Sequence, residues 1–190
     1  MSTTNLSLMS PEERDAAREQ VRALVRAVPD FPKPGILFRD ITTVLADKQA
    51  MQTAIRLHID AIADLVGTVD CVVGIESRGF LFGIPVAERL GAAFAPVRKP
   101  GKLPAAVIEQ SYQLEYGEDR LQLHADAFKP GAKIVVVDDL LATGGTADAT
   151  CKLIRQLGGE VLACVFMIEL VGLKGRERLA PARVESLVSY

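Results

Sequence analysis

The segment Val135-Val136-Val137-Asp138-Asp139-Leu140-Leu141-Ala142-Thr143-Gly144-Gly145-Thr146 joins an apolar run to two adjacent carboxylates and a glycine–threonine turn. In an open α/β sheet, ligands bind beyond the carboxyl ends of the strands. The two acids stand where the apolar run Lys133–Val137 ends. The next residues open a helix, whose first N–H groups and positive dipole end attract phosphate. Glycines let the backbone approach, and threonine hydroxyls add donors. This pattern predicts one ligand with two ends. A phosphate goes to Ala142, Thr143, Gly144, Gly145 and Thr146, and a hydroxylated or metal-bound part goes to Asp138 and Asp139. A phosphorylated ribose meets both demands. No Lys follows the glycines, so the loop is not a Walker A, and its spacing is not GxGxxG. The competing reading is a solvated turn with two surface acids. It leaves unexplained why two mutually repelling carboxylates stand side by side.

The elements that position this segment follow from capping and periodicity. Ser10-Pro11-Glu12-Glu13 predicts a capped helix start, and Val21, Leu24, Val25 and Val28 carry it to Pro29. Asp30–Gly35 reads as a stiff loop and Ile36–Phe38 as a short strand. A helix is expected from about Asp47 to Val66, stopped by Gly67. Cys71–Ile75, Phe94–Val97, Lys133–Val137 and Val161–Ile168 read as buried strands. Between them lie a helix ending near Gly91 and one with Thr150, Leu153, Ile154 and Leu157 on one face. The alternation predicts an α/β fold with a central, mostly parallel sheet flanked by helices. Arg98–His124 breaks it. Tyr112, Leu114 and Tyr116 alternate with polar residues, Gly117-Glu118-Asp119 is expected to turn, and Leu121 and Leu123 return. That predicts a hairpin standing away from the sheet. The long connection Lys99–Gln110 has the character of a functional lid.

Composition narrows the function classes. The 190 residues predict a single domain, 1–190. Net charge is −2, without the basic surplus of a nucleic-acid binder. Aromatic residues are 5% with no Trp, so no base-stacking platform is expected. The cysteines, Cys71, Cys151 and Cys164, are odd in number and lack a CxxC, which fits a reducing compartment. His58 and His124 match no zinc spacing, and His58, Cys71 and Cys164 read as structural. Met1–Ser10 lacks a secretory pattern, and Val161–Ile168 is too short to span a bilayer. A cytoplasmic protein with neither a nucleic-acid nor a membrane partner is expected.

Asp138–Thr146 resembles the phosphoribosyl diphosphate signature of the type I phosphoribosyltransferases. Five further segments resemble the adenine-using branch of that family: Phe31–Ile41, Glu76–Gly83, Arg98–Pro104, Tyr112–Gly117 and Leu173–Arg176. The resemblance covers nearly the whole chain beyond the first ten residues. It implies transfer of ribose 5-phosphate from phosphoribosyl diphosphate to N9 of adenine, giving AMP and diphosphate, with Mg²⁺ as cofactor. It implies a small N-terminal hood at about 29–45 and a flexible loop and hairpin at about 98–124. Asp138 and Asp139 would hold the ribose hydroxyls, with Mg²⁺ nearby but held mainly through substrate and water, and Ala142–Thr146 the 5-phosphate. Glu76, Ser77, Arg78 and Gly79 would form the diphosphate loop, with a non-proline cis bond between Glu76 and Ser77. Arg78, Arg98, Lys99 and Lys102 would offset the leaving diphosphate. Leu37, Phe38, Arg39 and Leu170 would contact the base. Glu115 would be the acid/base group facing N7. Asp40 would tether the hood by hydrogen bonds.

The family resemblance further implies a homodimer, with Arg78–Val86 near the partner. The apolar Gly79-Phe80-Leu81-Phe82 fits an interface and fits equally the start of a helix inside one subunit. Two other functions stay open at the level of sequence. One is a regulator that keeps the fold as a ligand sensor without turnover. The other is a sibling enzyme for hypoxanthine, guanine or orotate.

Overall fold

The computed structural model describes residues 8–114 and 117–190. Helix α1 (Pro11–Leu24) starts as its sequence demands: Ser10 and Glu13 form a reciprocal capping box, with Pro11 in the first turn. It ends earlier than periodicity predicts. Arg26–Pro29 leaves as strand β1 and pairs antiparallel with β2 (Leu37–Asp40), so the stretch to Pro29 is corrected from helix to strand. Pro29 biases Val28 toward extended backbone, and pairing with β2 satisfies the peptide groups that a helix would have bonded internally. The β1–β2 hairpin overlaps the stretch, about 29–45, in which a hood is expected, and is called the hood below. Within its tip the Phe31–Pro32 bond is cis, and Asp30 Oδ1 accepts the Gly35 N–H at 2.7 Å.

The expected long second helix is two pieces, and a short helix that the sequence pattern does not predict, α2 (Thr42–Ala46), precedes it. The two pieces are α3 (Lys48–Ala61, capped by Asp47) and a 3₁₀ turn at Ala63–Leu65. Strand β3 (Cys71–Ile75), helix α4 (Gly79–Leu90) and β4 (Ala93–Val97) follow closely the expected pattern. Then come β5 (Val107–Leu114), β6 (Gly117–His124), β7 (Lys133–Leu141), α5 (Gly145–Gln156) and β8 (Glu160–Glu169). A 3₁₀ turn at Val171–Leu173, α6 (Gly175–Arg178) and β9 (Val184–Ser189) complete the chain. The main sheet runs β4-β3-β7-β8-β9, and its adjacent strands pair parallel. Its outermost strand β9 was not anticipated from sequence.

Side chains alternate across the sheet with period two. Val72, Val135, Val137, Ala163 and Val165 join α1, α3 and α4 in one core. Val73, Val136, Cys164 and Phe166 join α5 and the β5–β6 hairpin in the other. The hairpin forms its own two-stranded sheet, as expected, but Tyr112, Leu121 and Leu123 are buried in that second core, so it is docked rather than free-standing. Gly117 pairs with Leu114 and Asp119 with Tyr112. The turn is therefore not at Gly117–Asp119, which is strand. Residues 115 and 116, including Glu115, lie outside the described residues.

His58 is fully buried in α3 and stacks on Phe82 of α4, centroids 5.0 Å apart and planes 16° from parallel. Its Nδ1 lies 2.8 Å from the Ala54 carbonyl oxygen, and burial holds its pKa down at about 4. The unfolded chain, with a histidine pKa of about 6.5, therefore binds a proton that the folded chain refuses. Stability is lost as pH falls from about 6.5 toward 4, by about 2 kcal/mol at pH 5. Thermal unfolding at pH 7 and pH 5 is expected to show a drop that His58→Phe reduces by roughly 4–8 °C. Equal drops in the two proteins would rule the histidine out as the source.

Candidate active site

The two acids do not stand past the end of their strand. β7 continues to Leu141, and Asp138, Leu140 and Leu141 still pair with β8. On the other side, pairing with β3 stops at Gly74–Val137. From Asp138 onward β7 is therefore interior on one side and open on the other. Backbone pairing with β8 is indifferent to side-chain polarity, so the ladder runs on where the apolar pattern stops. The carboxylates emerge over the end of β3, at the face where ligands bind.

The β3–α4 loop fills the space beyond that open side. Its Glu76–Ser77 peptide is cis, as the family resemblance implies. Arg78 Nε donates to Asp139 Oδ2 at 2.8 Å. Gly79 sits so close behind the site that a Cβ there would lie 2.6 Å from the Val137 carbonyl oxygen and 3.0 Å from Asp138 Oδ1. Burial, reinforced by the charge of Asp139, pushes the Asp138 carboxyl well above its usual range. Asp139, 5% exposed, is also raised by burial, against the pull of Arg78. A buried pair of this kind is poised to accept hydrogen bonds from hydroxyls or to face positive charge.

Beyond β7, Gly144 caps α5 with φ of 78°. Its neighbour across the loop is Gly175: a Cβ on Gly144 would meet the Gly175 carbonyl oxygen at 2.6 Å, and one on Gly175 would meet that of Ala142 at 2.2 Å. Two glycines thus let α6 press against the Ala142–Gly144 loop and set its curvature. On the far side, the Tyr112 hydroxyl donates to Asp119 Oδ2 at 3.2 Å. Asp119 also takes Lys99 Nζ at 2.7 Å. Glu76 gathers the other two cations, Lys102 Nζ at 2.5 Å and Arg98 Nε at 3.4 Å, and accepts the Lys99 backbone N–H at 2.8 Å. Those partners hold the Glu76 carboxyl below its usual range, against its own desolvation.

These groups line a cleft of about 550 Å³ that brings together Glu76, Ser77, Arg78, Lys99, Asp138, Asp139 and the whole Ala142–Thr146 loop. Arg98 and Lys102 join through Glu76. A second, mostly apolar cavity of about 580 Å³ lies under the hood, lined by Phe38, Ile41, Leu45 and Leu81 among others. Arg78 is common to both, with its guanidinium carbon 5.8 Å from the Phe38 ring centroid. Leu37 is exposed, Arg39 turns toward Tyr190, and Leu170 hydrogen-bonds through its N–H to Leu141; none of the three lines either cavity. Asp40 tethers the hood as expected, taking Arg26 and both the N–H and hydroxyl of Thr42, which hold its pKa down at about 2. The sequence pattern places Asp119 in a turn and Tyr112 in a strand and marks neither as part of the site. Gly175 entered only as part of a resemblance.

Residues 40–184 match the family described as the phosphoribosyl transferase domain. An adenine phosphoribosyltransferase of Acidobacterium capsulatum is 56% identical over 174 residues, covering 90% of this chain and 94% of the relative. The crystal structure of the adenine phosphoribosyltransferase from Thermoanaerobacter pseudethanolicus matches with a TM-score of 0.87 and 48% identity, over 91% of this chain and 99% of that one. The Saccharomyces cerevisiae adenine phosphoribosyltransferase, solved with D-2,5-dideoxy-2,5-imino-altritol 1,6-bisphosphate and adenine, matches with a TM-score of 0.85 and 38% identity, over 91% of this chain and 99% of that one. This chain belongs to the adenine phosphoribosyltransferase family.

Proposed function

We propose that the chain transfers ribose 5-phosphate from 5-phosphoribosyl 1-diphosphate to N9 of adenine, with the roles divided as the cleft divides its chemistry. The Ala142–Thr146 loop takes the 5-phosphate on backbone N–H groups and threonine hydroxyls. Asp138 and Asp139 take the ribose hydroxyls. The Glu76–Gly79 loop takes the diphosphate, with Arg78, Arg98, Lys99 and Lys102 around it, and the hood takes the base. The observation that supports this most directly is the single cleft in which the carboxylate pair lies between the helix-entrance loop and the cation-bearing loop.

The chemistry requires that order. Displacement at the anomeric carbon passes through an oxocarbenium-like state while diphosphate leaves. Cations already in place stabilise the growing negative charge, and the carboxylates of Asp138 and Asp139 favour the positive sugar carbon. Hard carboxylate oxygens suit Mg²⁺. No group of three or more His, Cys, Asp and Glu converges among the described residues, so the residues present fit an ion held mainly through substrate and water, with Asp138 and Asp139 beside it. Bound there, Mg²⁺ would offset further charge on the diphosphate. Lys99, Tyr112, Asp119 and Leu121 line the cleft on one side and would help exclude water from the reactive carbon. Glu115 takes the proton role at adenine N7. Glu115→Gln is expected to lower kcat by about 10²-fold or more at saturating donor; full turnover in that variant would remove the role.

The surface supports a homodimer. Phe82 is buried in the core, whereas Ile84 of α4 and Ile36 of the hood are exposed apolar side chains that line neither cavity. Among the described residues no helix is long and apolar enough to cross a membrane, and a cytoplasmic location fits the buried free thiols of Cys71, Cys151 and Cys164. The test of function is an assay with purified protein, Mg²⁺, phosphoribosyl diphosphate and each nucleobase in turn. AMP from adenine alone is the expected result. Turnover of hypoxanthine, guanine or orotate in its place would assign a sibling reaction, and binding without turnover a sensor.

A further inference from the structure

Tyr190 joins parts of the molecule that are distant in sequence. Its backbone N–H donates to the Glu169 carbonyl at 2.9 Å, and its own carbonyl accepts the Val171 N–H at 3.0 Å. These two bonds bracket Leu170, whose N–H is held by the Leu141 carbonyl at 2.9 Å. The Tyr190 ring lies under the hood: the Arg39 guanidinium carbon is 3.8 Å from its centroid. Arg22 of α1 flanks the same ring at 5.5 Å, donates through Nη1 to the Ser189 carbonyl at 2.6 Å, and accepts the Tyr190 hydroxyl on its own carbonyl at 3.3 Å. One aromatic side chain therefore couples the hood strand β2, helix α1 and the end of β8.

We infer that Tyr190 is a positioning residue for the purine base, its ring holding hood strand β2 against the main sheet through the stacked Arg39 guanidinium. This rests on the reading that the hood grips the base. The hood is a two-stranded hairpin, too small to hold its own place. Asp40 ties its root to Arg26 and Thr42, and the Arg39–Tyr190 stack ties the strand to the main sheet. A cation over an aromatic face contributes modestly at exposed sites and more where water is excluded. On that reading, a shift of the hood would act on adenine. The donor is held by β7, α5 and the β3–α4 loop, none of which Tyr190 supports directly.

The test is steady-state kinetics with adenine and donor varied separately, for the wild type, Tyr190→Phe, Tyr190→Leu and Phe38→Ala. Tyr190→Phe keeps the ring and is expected to stay within about twofold in every constant. Tyr190→Leu is expected to raise the adenine KM about fivefold or more, with the donor KM and kcat within about twofold. An unchanged adenine KM, or a donor KM that rises in step with it, overturns the inference. Should Tyr190→Leu not accumulate as folded protein, Tyr190→Met fills similar volume without a π face and is read the same way. Phe38→Ala separates the two levels. If it leaves the adenine KM unchanged, the hood does not grip the base. If it raises that KM while Tyr190→Leu does not, the hood reading stands and the positioning role falls.

Discussion

Asp139→Ala is expected to lower kcat/KM for the phosphoribosyl donor by about 10³-fold, roughly 4 kcal/mol of transition-state stabilisation. Two losses combine. A buried acceptor for the ribose hydroxyls disappears, and Arg78, which donates to Asp139 Oδ2 at 2.8 Å, loses the partner that aims it. Arg78 lines both cavities, so its reorientation reaches the base side as well. Folding is expected to survive, because the substitution relieves a carboxylate whose ionisation burial opposes. Thermal unfolding checks that, and initial rates at varied donor check the loss. Rates within about threefold of wild type would remove the carboxylate pair from the mechanism.

Gly175→Ala carries the second large effect, at a residue in contact with no reacting atom. The added Cβ would lie 2.2 Å from the Ala142 carbonyl oxygen and 3.0 Å from the Gly144 nitrogen. Both are backbone, so the Ala142–Gly144 loop itself must give way. Misplacement of a bound group by about 1 Å costs on the order of 10²-fold. We expect kcat/KM for the donor to fall by about that factor, with the adenine KM little changed and stability reduced by about 1–3 kcal/mol. Gly144→Ala approaches the same contact from the opposite side, with the added strain of its φ of 78°. Donor kinetics unaffected in a folded Gly175→Ala variant would show that α6 does not shape the cradle.

Much of the framework could be read before any coordinates. The capping box at Ser10, the apolar runs at Cys71–Ile75 and Val161–Ile168, and the glycine stop at Gly91 each report a local physical cause, and each is where expected. Places that sequence reading missed have causes that are not local. Val25 and Val28 continue a helical spacing, but β2 captures the backbone at Arg26. The apolar pattern of β7 ends at Val137 while its ladder with β8 runs to Leu141. Strand β9 begins after a cis Ala180–Pro181 bond in a mixed stretch with no regular alternation, and is held by its neighbour β8. In the candidate site, the Ala142–Thr146 loop and the two acids stand out in the sequence because adjacent carboxylates and paired glycines are costly without a ligand. Tyr112, Asp119 and Tyr190 do not, because each acts through a partner far along the chain.

Glu76 changes how the entry of the donor is to be understood. Its single carboxylate, 10% exposed as a side chain, already draws Lys102 and Arg98 together. On the proposed assignment, an arriving diphosphate does not meet bare charges but takes cations over from an anion that stays in place. The attraction gained is the difference between two anionic hosts, and the same resident competitor is ready to reclaim its cations when the reaction is over. Such a counter-ion trades tightness of capture for ease of discharge, which suits a cleft that has to eject a highly charged product on every cycle.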